Sequence, residues 1–272
     1  MTTYRNVQGY RVRKVSSDPA NPKEGQIWYN NISKQIKVRT ESLAVFASGG
    51  NINTGRGNQS LSPVGTQTAG LLFGGQNDSM SPPKRGETEE YNGSSWSEQN
   101  DLNTDRYRIA GCGTQTAALG AAGYTLPGQT ANTEEYNGSS WSEQNNLSAI
   151  RAAASAAGTQ TAAVCIGGST YTVPEGSILR GYTEEYNGSS WTTANSIAPA
   201  LAPAPRVGVE GHGCCGTQTA ALVIGGNSGT ITGQTLEYDG TNYSNSGALT
   251  RGINGGWYFG IQTDAVCGGG SD

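Results

Sequence analysis

The chain has 272 residues, with 41 Gly, 10 Pro, 14% charged residues and a formal net charge of −4. Glycine at roughly twice its usual share of about 7% excludes a helical bundle, because each interior Gly costs a helix about 1 kcal/mol relative to Ala, and the lack of a three-residue Gly period excludes collagen. With 5 Trp, 13 Tyr and 3 Phe the chain is too aromatic for disorder, which leaves a turn-rich all-β protein.

At the N-terminus, residues 1–39 hold 8 of the 17 Lys and Arg against only two acids, Asp18 and Glu24. The rest of the chain holds 9 bases against 19 acids. A basic arm, residues 1–25, therefore precedes an acidic body, residues 26–272. Either the arm docks on a partner through Arg5, Arg11, Arg13 and Lys14, or it is a solvated terminus. The acidic body argues against nucleic-acid binding. The opening residues lack the apolar stretch of a signal peptide, and no apolar run is long enough to span a membrane.

From residue 65 onward the chain repeats. Gly-Thr-Gln-Thr-Ala begins at Gly65, Gly113, Gly158 and Gly216, and a degenerate copy begins at Gly260. Each copy runs into an apolar stretch ending in small residues, as in Val164-Cys165-Ile166-Gly167-Gly168. Continuous apolarity of this kind predicts a strand covered on both faces. Next comes Glu-Tyr-Asn-Gly-Ser-Ser-Trp, at Glu90–Trp96, Glu135–Trp141 and Glu185–Trp191, with Glu237–Tyr243 as a fourth form. Asn-Gly between β-type residues predicts a hairpin with a type I′ turn, and the flanking Tyr91, Tyr136, Tyr186 and Tyr238 with Trp96, Trp141 and Trp191 supply buried area. The sequons at Asn92, Asn137 and Asn187 also fit glycosylation, but without a signal peptide the turn reading is preferred. A polar stretch then leads to Arg106, Arg151, Arg206 or Arg251, each opening the next unit.

One unit is thus four strands in about 45–50 residues, the length of a β-propeller blade. Residues 46–56 match 96–106 at an offset of 50, which adds Arg56 to the series. The chain starts with the outer half of a blade, near residues 26–47, and stops after the inner half of one, near residues 251–270. The two halves are expected to pair and close a ring of five four-stranded antiparallel blades, leaving no free edge.

Gly-Gly, Tyr, Trp and Arg at these spacings resemble the kelch family of β-propellers over roughly residues 26–270. The near-identical copies, and the segment Asn21–Asn30, resemble repeat-containing tail-fibre and other virion proteins of marine bacteriophages. That resemblance implies a non-enzymatic virion protein, a tail or fibre component whose arm holds other virion proteins and whose body binds host surface glycan or protein. It also implies assembly in the host cytoplasm and, by analogy with fibres, a homo-trimer. A capsid-surface decoration or head fibre, and a non-virion kelch-like scaffold, are the alternatives.

No catalytic constellation emerges, and no cofactor or metal is expected. His212 is the single His and lies beside Cys214 and Cys215, at a spacing wrong for a structural zinc site. The five Cys (Cys112, Cys165, Cys214, Cys215 and Cys267) read as reduced packing residues. The doublets Glu89/Glu90, Glu134/Glu135 and Glu184/Glu185 recur at one position of the unit, which marks them as scaffold, and adjacent strand residues face opposite ways. The repeated Arg are expected to bind carbonyls or the Glu of a neighbouring blade, the alternative being a ligand in the central channel. Strand alternation puts the Thr-Gln and Asn-Gly-Ser-Ser turns at one end and the varied connections at the other. A scaffold that repeats while one end varies is either displaying that end or tolerating loops there. The binding candidates at that end are Lys84, Arg85, Tyr124, Tyr171, Arg180 and Tyr182.

Overall fold

The computed structural model describes residues 13–20, 26–38, 49–58, 64–77, 79, 81, 84–126, 128–172, 174, 176–201 and 207–271. The chain divides into two compact units, Met1–Ser48 and Gly49–Asp272.

The first unit holds β1 (Arg13–Val15), β2 (Ile27–Asn30) and β3 (Gln35–Val38) in one sheet, with β1 parallel and β3 antiparallel to β2. The carboxylate of Asp18 pins this sheet. It accepts the indole N–H of Trp28 (2.9 Å), the amide of Asn30 (2.8 Å) and the ammonium of Lys37 (2.6 Å). These donors, Lys37 foremost, hold the Asp18 carboxyl far below the usual carboxylate range. Arg13 and Lys14 are residues of β1, while Arg5 and Arg11 lie outside the described residues.

The second unit opens with a sheet of β4 (Gly65–Thr66), β5 (Ala69–Gln76), β6 (Lys84–Tyr91) and β7 (Trp96–Gln99). A second sheet follows with β8 (Ala110–Thr114), β9 (Ala117–Ala121), β10 (Thr133–Tyr136) and β11 (Trp141–Gln144). In the third, β12 (Ser155–Thr159) and β13 (Ala162–Ile166) precede a separate hairpin of β14 (Ser169–Thr172) and β15 (Gly176–Leu179), and then β16 (Thr183–Tyr186) and β17 (Trp191–Ala194) complete the sheet. The fourth holds β18 (Gly213–Thr217), β19 (Ala220–Ile224), β20 (Gln234–Tyr238) and β21 (Tyr243–Ala248). The last, β22 (Trp257–Ile261) with β23 (Asp264–Gly268), has two strands. The described strand pairings in this unit are all antiparallel.

The all-β expectation and its four-stranded antiparallel unit are met. A joint sheet of residues 26–47 and 251–270 does not occur among the described strand pairs. β2 has both edges taken by β1 and β3, and β22 and β23 pair with each other. Phe46 lies outside the described residues.

Each core lies between consecutive sheets. Phe73, Ile109 and Trp141 fill the first; Cys112, Leu119, Cys165 and Tyr186 the second; Val164, Ile166, Val223 and Tyr238 the third; Leu222, Ile224 and Tyr258 the fourth. That is why the second strands read as unbroken apolar runs: Ala163–Ile166 are fully buried, with a sheet on each side. The Phe73 and Trp141 rings meet edge-on at 4.7 Å, a geometry worth about 0.5–1.5 kcal/mol beyond the area buried.

Two turns differ in kind. The Thr-Gln turns are tight, and the Gly before them is obligatory: at Gly113 (φ +105) an added Cβ would stand 2.3 Å from the Ala117 carbonyl. The Asn-Gly-Ser-Ser turns are four-residue loops rather than type I′ pairs. Tyr pairs directly with Trp across them, and positive φ falls on the Gly alone, as at Gly93 (φ +92). The physical reason is the Asn side chain. Its Oδ1 accepts the N–H groups of both following Ser, as Asn137 does from Ser139 and Ser140 at 3.0 Å, and this holds Asn out of the left-handed region.

Main-chain bonds also link the sheets at the opposite end. Five residues at equivalent positions have left-handed backbone: Asn58, Arg108, Ala153, Gly211 and Gly255, with φ from 53° to 69°. The N–H of each after the first donates to the carbonyl of the one before, Arg108 to Asn58 (2.7 Å), Ala153 to Arg108 (3.1 Å), Gly211 to Ala153 (3.0 Å) and Gly255 to Gly211 (2.8 Å).

Candidate functional site

The register confirms the sorting of turns and connections onto opposite ends. At the varied end, the chain entering each sheet pairs with the residue that follows the Gly-Gly position, and the bridges Tyr107–Tyr124, Ala152–Ser169 and Glu210–Asn227 are equivalent. This local rule brings side chains from three sheets together. Tyr107 and Tyr124 stack with centroids 5.2 Å apart. The Tyr124 hydroxyl accepts a hydrogen bond from Gln129. Burial first, then Tyr107, Tyr171 and Glu210, raise the Tyr124 pKa, while Arg108 opposes them, so all four groups lie within its electrostatic reach. Tyr171, 54% exposed, projects from β14. Tyr182 lies under Arg180, whose guanidinium carbon is 5.8 Å from the ring centroid, and the buried Arg151 lies 5.7 Å from the same centroid. Arg180 also donates to Thr170 Oγ1 at 3.0 Å. The result at this end is one cluster of Tyr107, Tyr124, Tyr171, Arg108 and Glu210, and a second in which Tyr182 lies within reach of the Arg151 and Arg180 guanidinium groups.

Tyr124, Tyr171, Arg180 and Tyr182 are all at this end. Lys84 and Arg85 are not loop residues: they belong to β6, paired with Gln76 and Gly75, where the hairpin extends beyond its expected length. Tyr107, Arg108 and Glu210 were not among the sequence candidates. The signal was there, since the residues just after each Arg differ from copy to copy while the Arg does not.

The recurrent residues hold sheets together. Glu134 is fully buried and accepts from Arg106 (2.8 Å) and from the Asn103 backbone (2.7 Å). Arg56–Glu89 and Arg151–Glu184 repeat the pair. The Glu belongs to the sheet that the Arg leads into, not to a neighbour, and the incoming chain gives the same carboxylate a backbone N–H. Arg106 also donates to the carbonyls of Ala122 and Asn132, both at 2.8 Å. Arg206 lies outside the described residues, and Arg251 is exposed. The second Glu of each doublet faces the next sheet. Glu90, Glu135 and Glu185 accept from the hydroxyls of Tyr136, Tyr186 and Tyr238 (2.9–3.1 Å), and burial together with those carboxylates pushes the tyrosine pKa values up. The indoles of Trp141 and Trp191 donate to Thr88 and Thr133 of the preceding sheet at 2.9 Å, and Tyr243 makes the matching contact with Thr183. Tyr91 and Trp96 form the same tilted ring pair, at 5.0 Å.

The His-Cys-Cys run is split by the pleat of β18. Cys214 enters the core between the third and fourth sheets, and Cys215 the core next to β22. His212 is fully buried, and burial lowers its pKa to about 4. All five cysteines are free thiols, and burial raises the Cys215 pKa to about 11.

A cavity of about 1000 Å³ is lined by the first strand of every sheet in the second unit, including Thr66, Cys112, Ala157, Cys215 and Gly260. No protein-family model matches the chain, and no curated protein matches its sequence.

Proposed function

We propose that Gly49–Asp272 is a five-bladed kelch-like propeller and that the protein is a non-enzymatic virion component of a bacteriophage, a tail or fibre protein that binds host surface glycan or protein. Two features support the propeller reading: the chain of bonds from Asn58 to Gly255, and a single cavity reached by all five first strands. The basic segment with Arg13 and Lys14 would hold other virion proteins, and a homo-trimer fits a fibre. The virion setting rests on the resemblance of the repeats and of Asn21–Asn30 to marine phage proteins.

The observation that carries the binding reading is the cluster of Tyr107, Tyr124 and Tyr171 beside Arg108, with the Arg180–Tyr182 pair at the same end of the sheets. Tyrosine faces stack on the apolar side of sugar rings, and guanidinium groups take their hydroxyl and acidic substituents in two-pronged hydrogen bonds. The test is binding of the purified chain to host cells and to a glycan array. Tyr124→Ala with Tyr171→Ala should weaken binding at least about tenfold, as loss of central aromatic anchors does. Unchanged binding would remove this surface from the reading, and absence of the chain from purified virions would remove the virion setting.

A further inference from the structure

The sequence holds four Asn-Gly pairs, beginning at Asn92, Asn137, Asn187 and Asn254. Asn is a thermolabile residue, and a following Gly has no side chain to screen its nitrogen from the carboxamide. The structure holds the four pairs in two ways. Asn92, Asn137 and Asn187 are exposed and open the four-residue loops of the unvarying end. Asn254 is half-buried at the varied end, in a bridge with Ser271.

In the loops the carboxamide is gripped through its oxygen. Asn92 Oδ1 accepts the N–H groups of Ser94 and Ser95, both at 3.0 Å, and the Ser94 hydroxyl at 2.9 Å. Asn187 Oδ1 accepts the N–H groups of Ser189 (3.0 Å) and Ser190 (2.9 Å) and the Ser189 hydroxyl (3.0 Å). At Asn137 the two N–H bonds are the same and the Ser139 hydroxyl is farther, at 3.4 Å. A side-chain oxygen bonded to the N–H two residues on closes a ring around the intervening peptide, which folds the carboxamide over the Gly nitrogen. Among the described residues, the N–H groups of Gly93, Gly138 and Gly188 donate no hydrogen bond. At the fourth pair that nitrogen is tied down, because the Gly255 N–H donates to the Gly211 carbonyl at 2.8 Å.

The fourth copy of the loop carries Asp239 where the others carry Asn. Its Oδ1 accepts the N–H groups of Thr241 (2.8 Å) and Asn242 (2.7 Å), shorter bonds than those to Asn, as a charged acceptor makes. These bonds, Asn242 foremost, hold the Asp239 carboxyl below the usual carboxylate range. The loop therefore seats an aspartate without a change of fold.

We infer that Asn92, Asn137 and Asn187 are sites of spontaneous deamidation, promoted by the loop that holds them. Hydroxide takes the proton of the Gly N–H, and the nitrogen bonds to the Asn Cγ. The carbonyl electron pair moves onto Oδ1, where the two N–H groups and the hydroxyl already point and stabilise the developing charge. As that pair returns, the Cγ–Nδ2 bond breaks, and Nδ2 takes a proton from water and leaves as ammonia. A succinimide ring remains. Water then opens the ring, its oxygen entering the new carboxylate, one hydrogen returning to the Gly nitrogen and the other leaving as a proton. Opening at Cγ gives aspartate in an ordinary main chain; opening at the main-chain carbonyl gives isoaspartate. Either product adds a negative charge to the unvarying end, and the aspartate takes the place that Asp239 already occupies in the fourth copy.

The test incubates the full chain in mildly alkaline buffer and follows each site by peptide mapping with mass spectrometry, which reads the mass difference between amide and acid. Asn92, Asn137 and Asn187 should convert at least about tenfold faster than Asn254, the factor set by a hydrogen bond that must break first. In guanidinium chloride all four pairs should convert at similar rates, since only the dipeptide then acts, and the three loop sites should convert no faster there than in the folded chain. Asn137→Asp, the aspartate product made directly, should unfold at the parent's denaturant midpoint or above it. A loop site that converts more slowly folded than unfolded, an Asn254 that keeps pace with the loops in the folded chain, or a lowered midpoint for Asn137→Asp would each overturn the assignment.

Discussion

Glu134 and Leu236 occupy the same register position, one on β10 and one on β20, and both are buried. The fourth sheet thus carries Leu where the second carries the Glu of a buried ion pair. With Arg106 still charged and fully buried, Glu134→Leu leaves the guanidinium without its counter-ion. We expect a loss of about 3–5 kcal/mol in denaturant unfolding, and recovery of most of it when Arg106→Met is added. His212 gives a second residue-scale expectation. Its folded pKa of about 4 lies below the unfolded 6.5, so the stability of the neutral buried ring is fully present above about pH 6.5 and is lost as pH falls toward 4. The full difference is about 3 kcal/mol. The measurement is the pH dependence of unfolding free energy, where His212→Leu should show a shallower slope than the parent between these values. The Glu doublets were legible as scaffold from their recurrence, and alternation along a strand foretold that the two carboxylates face apart. Their partners were not legible, because Tyr136 lies 46 residues from Glu90 and only sheet packing brings them together.

At the scale of elements, the repeated Gln does work that its polar surroundings concealed. Gln160 sits in a tight turn, where a side chain is expected to be solvated, yet its amide reaches two carbonyls of the preceding sheet at 3.2 and 2.7 Å. Gln160→Leu should cost about 2 kcal/mol, roughly 1 for each neutral hydrogen bond, read as a lower denaturant midpoint at constant slope. The four-residue loops were recognisable as hairpin turns, but their type depended on the Asn carboxamide capping two N–H groups, a contact that outweighs the local preference of Asn-Gly. The exchange of Trp for Tyr243 illustrates the same point. The two residues differ in shape, but each hydrogen-bonds a Thr hydroxyl of the preceding sheet, Trp191 with Thr133 and Tyr243 with Thr183.

For the molecule as a whole, the sheets of the second unit are not equally supported. Among the described residues, β12 and β13 have packed sheets on both faces, whereas β22–β23 is covered on one. Local opening follows the number of buried contacts that must be broken. Amide hydrogen exchange should therefore release β22–β23 well before β12–β13.

What the sequence determined by itself was everything carried by short-range periodicity. That covers the repeat and its length, the four-strand unit, the apolar strands covered on both faces, and the division into an unvarying and a varied end. These depend on alternation and turn chemistry, which act over a few residues. Only the tertiary structure decided which strands share a sheet at the two ends of the chain. It alone put Tyr107, Arg108, Tyr124, Tyr171 and Glu210 within reach of one another. Those outcomes turn on competition between distant partners, as when β1 takes the edge of β2, and no local pattern encodes which partner wins.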